Sequence, residues 1–212
     1  MPFLRSIGGA PAGLGDARLI IRRRRVRLDV GLALADSFGA RCRNLLSKAK
    51  GVTVDDLSYP ECTRVLFESE ILGEAVFRGL VAEAKNPRER YHLGTLLQLE
   101  TETKARLRPL LYKHGVSLDE EVDFSLLDIV GTTYKESTWP EFAAANIPIL
   151  EDFIRRFEAI AKIGDEDDRD ILDSMVRHEA SILRWATMES AGRTDGSLDD
   201  VIEQLVWPLD RL

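Results

Sequence analysis

The sequence predicts an all-α protein in which two long helical hairpins form a four-helix bundle, joined by one long crossover. Apolar residues recur at helical spacing in four long segments, helix start and stop signals bound these segments, and no segment has the alternation of a β-strand. The hairpins are predicted over residues 60–115 and 139–192. An extra N-terminal helix and a short C-terminal helix complete the predicted fold.

The composition is that of one globular domain. The chain has 212 residues, of which 44% are apolar and 31% are charged, and this is enough to bury a continuous core. Its two cysteines are too few for a disulfide framework, and the net charge of −7 disfavours a broad nucleic-acid surface. No apolar run approaches the ~20 residues of a membrane-spanning helix, and no secretory signal pattern begins the chain. We therefore expect a cytoplasmic protein without a membrane span or a nucleic-acid partner.

The N-terminal part divides into a tail and a helix. Glycine and proline are frequent in residues 1–17, and residues 1–27 are predicted to be a flexible, basic segment ahead of a single domain over residues 28–212. Apolar spacing predicts the extra helix from about residue 28 to residue 49. A cluster of arginines between the tail and this helix is interpreted as a solvated helix start, and contact with an anionic partner is the alternative. The cluster consists of Arg22, Arg23, Arg24, Arg25 and Arg27.

The first hairpin has clear signals at its turn and at its end. Its first helix ends just before Asn86, which can cap the next helix, and Pro87 suits the first turn of that helix. A stripe of leucines then follows the second helix to a predicted end at His114 and Gly115. We therefore predict that these two helices are antiparallel neighbours.

The second hairpin follows an irregular crossover, which is predicted over residues 116–138. Thr138 begins its first helix as an N-cap, and Pro148 inside this helix predicts a kink or restart. Acidic residues 165–168 favour the start of the last long helix, where the helix dipole attracts negative charge. Ser197 is predicted to cap the short C-terminal helix.

Each long helix carries a glutamate inside its apolar stripe. Glu70 and Glu100 lie at similar distances from the turn of the first hairpin, and Glu151 and Glu179 do so in the second. Antiparallel hairpins therefore predict that the four carboxylates meet in the interior. A buried, unpaired carboxylate is unfavourable by several kcal/mol, so these groups need a cation, a shared proton or hydrogen-bond donors.

A metal-free polar interior is the favoured interpretation of this pattern. Lys104 lies one helical turn from Glu100 and can pair with it, while His178 directly precedes Glu179. These four residues would form a hydrogen-bonded network for proton transfer or for binding a small apolar ligand. The alternative is a site for two iron or manganese ions. Its predicted ligands are Glu70, Glu100, Glu151, Glu179 and His178.

Residues 62–191 resemble the ferritin-like superfamily, and they are nearest to its rubrerythrin-type bundles. The stretch from Phe67 to Leu111 and the run from Met175 to Glu179 carry the resemblance. In that superfamily one Glu from each of two helices and a Glu-x-x-His from each of the other two bind a pair of iron or manganese ions. The resemblance implies Glu70 and Glu151 as the single carboxylates, and it implies a metal-dependent oxidoreductase.

The chain departs from the superfamily pattern at both Glu-x-x-His motifs. Thr103 stands three residues after Glu100, Ile182 stands three residues after Glu179, and Met175 stands three residues before His178. The favoured function is therefore a bundle that has lost the two-metal site, and the oxidoreductase is the second choice. A scaffold that uses the arginine cluster is the third. Bundles of this type often pair, so a homodimer is expected.

Overall fold

The computed structural model describes residues 54–122 and 124–211. The predicted N-terminal helix, the flexible segment and the arginine cluster lie outside these residues. The described part of the chain is all-helical and contains no strand, as the sequence predicts. None of its helices combines the length and the apolar character needed to cross a membrane.

Six α-helices follow one another along the described residues. Two 3-10 turns, Val54–Asp56 and Glu166–Asp168, accompany them. The helices are α1 (Tyr59–Ala82), α2 (Pro87–Lys113), α3 (Phe124–Glu136), α4 (Trp139–Ile163), α5 (Arg169–Ser190) and α6 (Asp199–Ile202).

Local capping explains where the long helices begin. The side chain of Asn86 accepts a hydrogen bond from the backbone of Glu89 at 2.9 Å, and the backbone N–H of Thr138 donates to Glu141 at 2.9 Å. Both predicted helix starts are confirmed. The predicted restart at Pro148 is wrong, because α4 is continuous. Proline removes one backbone hydrogen bond there, and the long packing of α4 against α5 outweighs that loss.

The long helices pack as two hairpins that face each other. Helix α1 pairs with α2, and α4 pairs with α5; α2 also packs on α5, and α1 has a looser contact with α4. The core is divided into two apolar clusters, one toward each end of the hairpins. Leu80, Leu93, Leu99 and Trp185 belong to one cluster, and Leu66, Leu107, Phe157 and Met175 belong to the other.

Two connections differ from their predicted form. The crossover contains α3, which packs on α1 and α4 and buries Val130 and Tyr134 in the core. Ser197 does not cap α6; its hydroxyl donates to Glu189 at 2.5 Å, and Leu198 occupies the N-cap position. In both places long-range packing, rather than the local sequence, determines the structure.

Candidate carboxylate and histidine site

A polar layer separates the two apolar clusters of the core. Helix α1 contributes Glu70, α2 contributes Glu100, and α5 contributes His178 and Glu179. Glu70 and His178 are fully buried, and Glu100 and Glu179 are each 5% exposed. The structure therefore brings together four of the five predicted metal ligands, which we call the polar site.

The side chains of the polar site surround a small space. His178 Nε2 lies 3.6 Å from Glu70 Oε2 and 3.6 Å from Glu100 Oε2. Both distances exceed the usual range of about 2.7–3.2 Å for an N–H···O hydrogen bond. Glu70, His178 and Glu179 each offer one ligand atom, and these atoms lie within 4.8 Å of one another. Ligands bound at about 2.1 Å around one metal ion lie roughly 3.0–3.5 Å apart, which is close to the two distances of 3.6 Å at His178 Nε2.

The polar site contains buried atoms that lack hydrogen-bond partners. Among the described residues, four fully buried side-chain nitrogen or oxygen atoms have no partner, and all four belong to this site. An unsatisfied buried polar atom is unfavourable by about 1–3 kcal/mol. The atoms are Glu70 Oε1, Glu70 Oε2, His178 Nε2 and Glu179 Oε2.

Thr103 holds the histidine ring in place. Its hydroxyl lies 3.1 Å from His178 Nδ1, and both side chains are fully buried. When Nδ1–H donates to this hydroxyl, the lone pair of Nε2 faces the carboxylates. The sequence contains a signal for this contact, since Thr103 lies one turn from Glu100 on the same helix face. The sequence alone does not identify His178 as the partner of this hydroxyl.

Gly73 leaves room for the carboxylate of Glu100. A Cβ atom at Gly73 would lie 2.5 Å from Glu100 Cδ, far closer than real contacts allow. The absence of a side chain therefore lets Glu100 approach α1 beside Glu70. A glycine inside a long helix is the sequence signal for such a close approach.

Burial and mutual repulsion change the protonation of the polar site. Burial raises the pKa of Glu70 well above its ordinary value, and the charges of Glu100 and Glu179 raise it further, although His178 opposes them. Burial also raises the pKa of Glu179 to about 8. Burial lowers the pKa of His178, but Glu70 and Glu100 outweigh it and raise this pKa to about 10. Without another cation the site therefore retains protons on its carboxyl groups.

Glu151 does not join the polar site. Its side chain is exposed on α4, so the prediction that all four glutamates meet in the interior is wrong for this residue. The inward face of α4 is formed by Ile149, Leu150 and Phe157, which are buried. Glu151 follows this stripe by one position and points to solvent.

Lys104 is buried but does not pair with Glu100. Its Nζ lies 2.6 Å from Glu74 Oε2 on α1 and 2.6 Å from Glu120 Oε2 in the crossover. The predicted pairing with Glu100 is wrong. Lys104 lies one helical turn beyond Glu100 on α2, and its side chain extends away from the polar site toward Glu74 and Glu120. In the described part of the chain, no Lys or Arg side chain forms an ion pair with the carboxylates of the polar site.

A pocket connects the polar site with the surface. It lies between α1, α4 and α5, has a volume of about 70 Å³, and includes Glu100 and Glu179 in its lining. We call it the seam pocket, because it follows the loose contact between α1 and α4. Its other lining residues are mainly apolar: Ser69, Leu72, Gly73, Val76, Phe77, Asn146, Ile149, Leu150, Phe153, Ile182 and Trp185.

A second group of possible ligands lies at the end of the hairpins and already has partners. Asp168 accepts hydrogen bonds from Tyr59 at 3.0 Å and Lys113 at 2.7 Å, and it lies 2.8 Å from His114 Nε2. These contacts lower the pKa of Asp168 against the effect of burial. Asp168 therefore joins α1, α2 and the start of α5, and both of its carboxylate oxygens already have partners.

Comparison with known proteins gives no match: no protein family model, no curated protein and no solved structure matches this chain. The resemblance to the ferritin-like superfamily stays a prediction. The chemistry of the polar site is therefore the basis on which a function can be argued.

Proposed function

We propose that Glu70, Glu100, His178 and Glu179 bind one divalent metal ion, iron or manganese. One observation carries this proposal. His178 Nε2 lies 3.6 Å from Glu70 Oε2 and from Glu100 Oε2, too long for a hydrogen bond and close to the spacing of ligands around a metal ion, and the four buried atoms without partners all belong to Glu70, His178 and Glu179. A cation would satisfy all of these atoms at once.

The donor set suits the proposed metals. Carboxylate oxygens favour manganese, and imidazole suits iron, so three carboxylates with one imidazole fit either ion. Three ionised carboxylates and one divalent ion leave a net charge of −1, and the ion would take the place of the protons that the buried carboxyl groups otherwise retain. Iron or manganese would supply one-electron redox and Lewis-acid chemistry in this layer.

The donor set suits one ion better than two. Glu151 is exposed, Thr103 is the hydrogen-bond partner of His178, and Met175 is a soft ligand within the apolar core. These are three of the positions that a second ion would need. We infer a relative of the ferritin-like bundles that keeps half of the two-metal site. The two facing hairpins, the single crossover and the mid-height position of the polar site support this inference.

Metal analysis tests the proposal. Protein loaded anaerobically with Fe²⁺ or Mn²⁺ and then desalted should retain about one equivalent, because a buried site with four ligands binds tightly. Glu70→Gln should remove most of the metal, and the exposed Glu151→Gln is the matched control that should retain it. Less than a tenth of an equivalent in the wild-type protein would overturn the proposal.

A second test examines the contact that orients the histidine. Thr103→Val removes the hydroxyl but keeps the shape, and loss of such a contact weakens metal binding by roughly 10–100-fold. Thr103→Ser should restore most of the affinity because it restores the hydroxyl. Equal metal affinity in all three proteins would contradict the proposed role of Thr103.

The second candidate function is a metal-free site that binds a ligand or transfers protons. The raised pKa values of Glu179, about 8, and of Glu70 favour it, since such groups can exchange protons near neutral pH. Glu100→Gln distinguishes the two functions. A change in thermal stability that is identical with and without chelator supports the metal-free site, and a chelator-dependent change supports the metal site.

A further inference from the structure

The seam pocket has an outer rim and an inner end of different chemistry. Leu72, Phe77 and Phe153 are half-buried and form the rim, where α1 and α4 separate. Glu100 and Glu179 lie at the inner end. A molecule that enters from the surface therefore passes apolar and aromatic walls before it meets the two carboxylates.

Exposure within the polar site identifies the side that faces the pocket. Glu70 and His178 have no exposed surface, whereas Glu100 and Glu179 each keep 5% of theirs. The first two residues close the site from behind. A molecule in the seam pocket would thus contact the site only through Glu100 and Glu179.

The lining excludes anions. It contains no Lys, Arg or His side chain, and its two ionisable side chains are both carboxyl groups. A carboxylate or phosphate would meet only repulsion at the inner end, while a cation would be attracted. The aromatic side chains of Phe77, Phe153 and Trp185 offer apolar contact to the hydrocarbon part of such a cation.

We propose that the seam pocket binds a small aliphatic amine, with its ammonium group toward Glu100 and Glu179 and its hydrocarbon part against the apolar walls. This inference rests on the proposed function, because the net charge of −1 that remains with a divalent ion is the charge that the ammonium group balances. The amine is thereby the class of substrate or ligand that reaches the metal site.

The volume of the pocket limits the size of the amine. About 70 Å³ is several times the space that one water molecule requires, roughly 10–15 Å³. Branched amines of about four to six heavy atoms are therefore the appropriate probes, and isobutylamine is one of them.

Calorimetric titration of the metal-loaded protein tests the inference with three molecules of one shape. Isobutylamine carries a positive charge, isobutanol none and isobutyrate a negative charge. We expect the amine to bind at least tenfold more tightly than the alcohol, and the carboxylate to give no measurable binding. Equal affinity for the amine and the alcohol would overturn the inference.

Variants locate the binding in the seam pocket. Val76→Phe fills the pocket from α1 and should weaken amine binding at least tenfold, with the metal content unchanged. Val81→Phe, the same substitution five residues further along α1 and outside the lining, is the matched control and should bind the amine normally. If Val76→Phe does not fold, Phe153→Trp fills the pocket from α4. Amine binding that survives in a folded, filled variant would overturn the inference.

The metal content separates failure of the inference from failure of the proposed function. Wild-type protein that holds metal but shows no preference for the amine contradicts only the inference. Wild-type protein that holds no metal contradicts the proposed function, and the same titrations then test whether the metal-free protein binds the amine. If the metal-free protein binds the amine more tightly than the alcohol, the seam pocket is an amine site without a metal ion. If it shows no such preference, both proposals are contradicted.

Discussion

Gly73 determines how closely the carboxylate of Glu100 can approach α1. Gly73→Ala would place a methyl group against that carboxylate and push it out of the polar site. We therefore expect the dissociation constant of the metal ion to rise at least tenfold, which corresponds to about 1.4 kcal/mol of binding free energy. Competition with a fluorescent chelator measures this change.

Gly79 provides the matched control for this substitution. It lies on the same helix, and a Cβ at this position would have nothing within 4 Å. Gly79→Ala should leave metal binding unchanged and stabilise the fold by about 0.5–1 kcal/mol, because alanine restricts the unfolded chain. Equal metal affinity in both variants would show that the fit of Glu100 against Gly73 does not matter.

A hydrogen bond between α2 and α5 depends on a neutral histidine. Trp185 Nε1–H donates to His92 Nδ1 at 3.1 Å, so this nitrogen must be unprotonated. Burial lowers the pKa of His92 to about 4, and the positive charge of Arg88 acts in the same direction. The carboxylates of Glu89 and Glu189 oppose this shift but do not overcome it.

This histidine should make the fold sensitive to acid. Between pH 6.5 and about 4 the unfolded chain protonates His92 while the folded protein does not, so the unfolded state binds more protons. The free energy of unfolding should therefore fall by about 2 kcal/mol as the pH decreases across this window. This value is smaller than the full pKa shift would give, because the side chain of His92 keeps some contact with solvent. Urea unfolding at several pH values measures it.

His92→Asn is the control for this pH dependence. Asparagine keeps an acceptor for Trp185 but does not titrate, so the variant should lose less stability than the wild-type protein between pH 6.5 and 4. Acidic groups that do not interact with His92 contribute equally to both proteins. Parallel curves for the two proteins would assign the acid sensitivity to residues other than His92.

Elements with local signals could be predicted from the sequence, and elements that depend on distant contacts could not. Asn86 and Thr138 begin helices through hydrogen bonds within one turn, so their positions are readable. Helix α3 cannot be predicted from local signals, because burial of Val130 and Tyr134 against other helices stabilises it. Tertiary packing of this kind outweighs weak local preferences.

The sequence predicts part of the candidate site, namely its three glutamates. Glu70, Glu100 and Glu179 interrupt apolar stripes, and their spacing from the turns correctly places them at one height. The position of Glu151 cannot be predicted in this way, because a shift of one residue along α4, a rotation of about 100°, moves a side chain from the interior to solvent. The ion pair of Lys104 with Glu120 cannot be predicted either, because Glu120 lies in the crossover, whose path no periodicity defines.

The whole molecule consists of two apolar clusters joined through one polar layer. Four helices cross this layer, and three of them contribute the side chains of the polar site. The layer is the part of the core where apolar packing contributes least, and the unpaired atoms there are unfavourable. An ion bound in this layer would connect α1, α2 and α5 through their ligands, so its effect should extend to both hairpins.

We therefore expect metal to stabilise the entire fold. A ligand that binds only the folded state, at a free concentration one hundred times its dissociation constant, adds about 2.7 kcal/mol. For a domain of this size that corresponds to a rise of about 5–10 °C in Tm. Thermal unfolding with Mn²⁺ and with chelator measures the rise. Glu70→Gln should unfold at the same temperature in both conditions, because the variant lacks one of the carboxylate ligands of the metal ion. An equal shift in this variant would place the stabilising ion elsewhere on the protein.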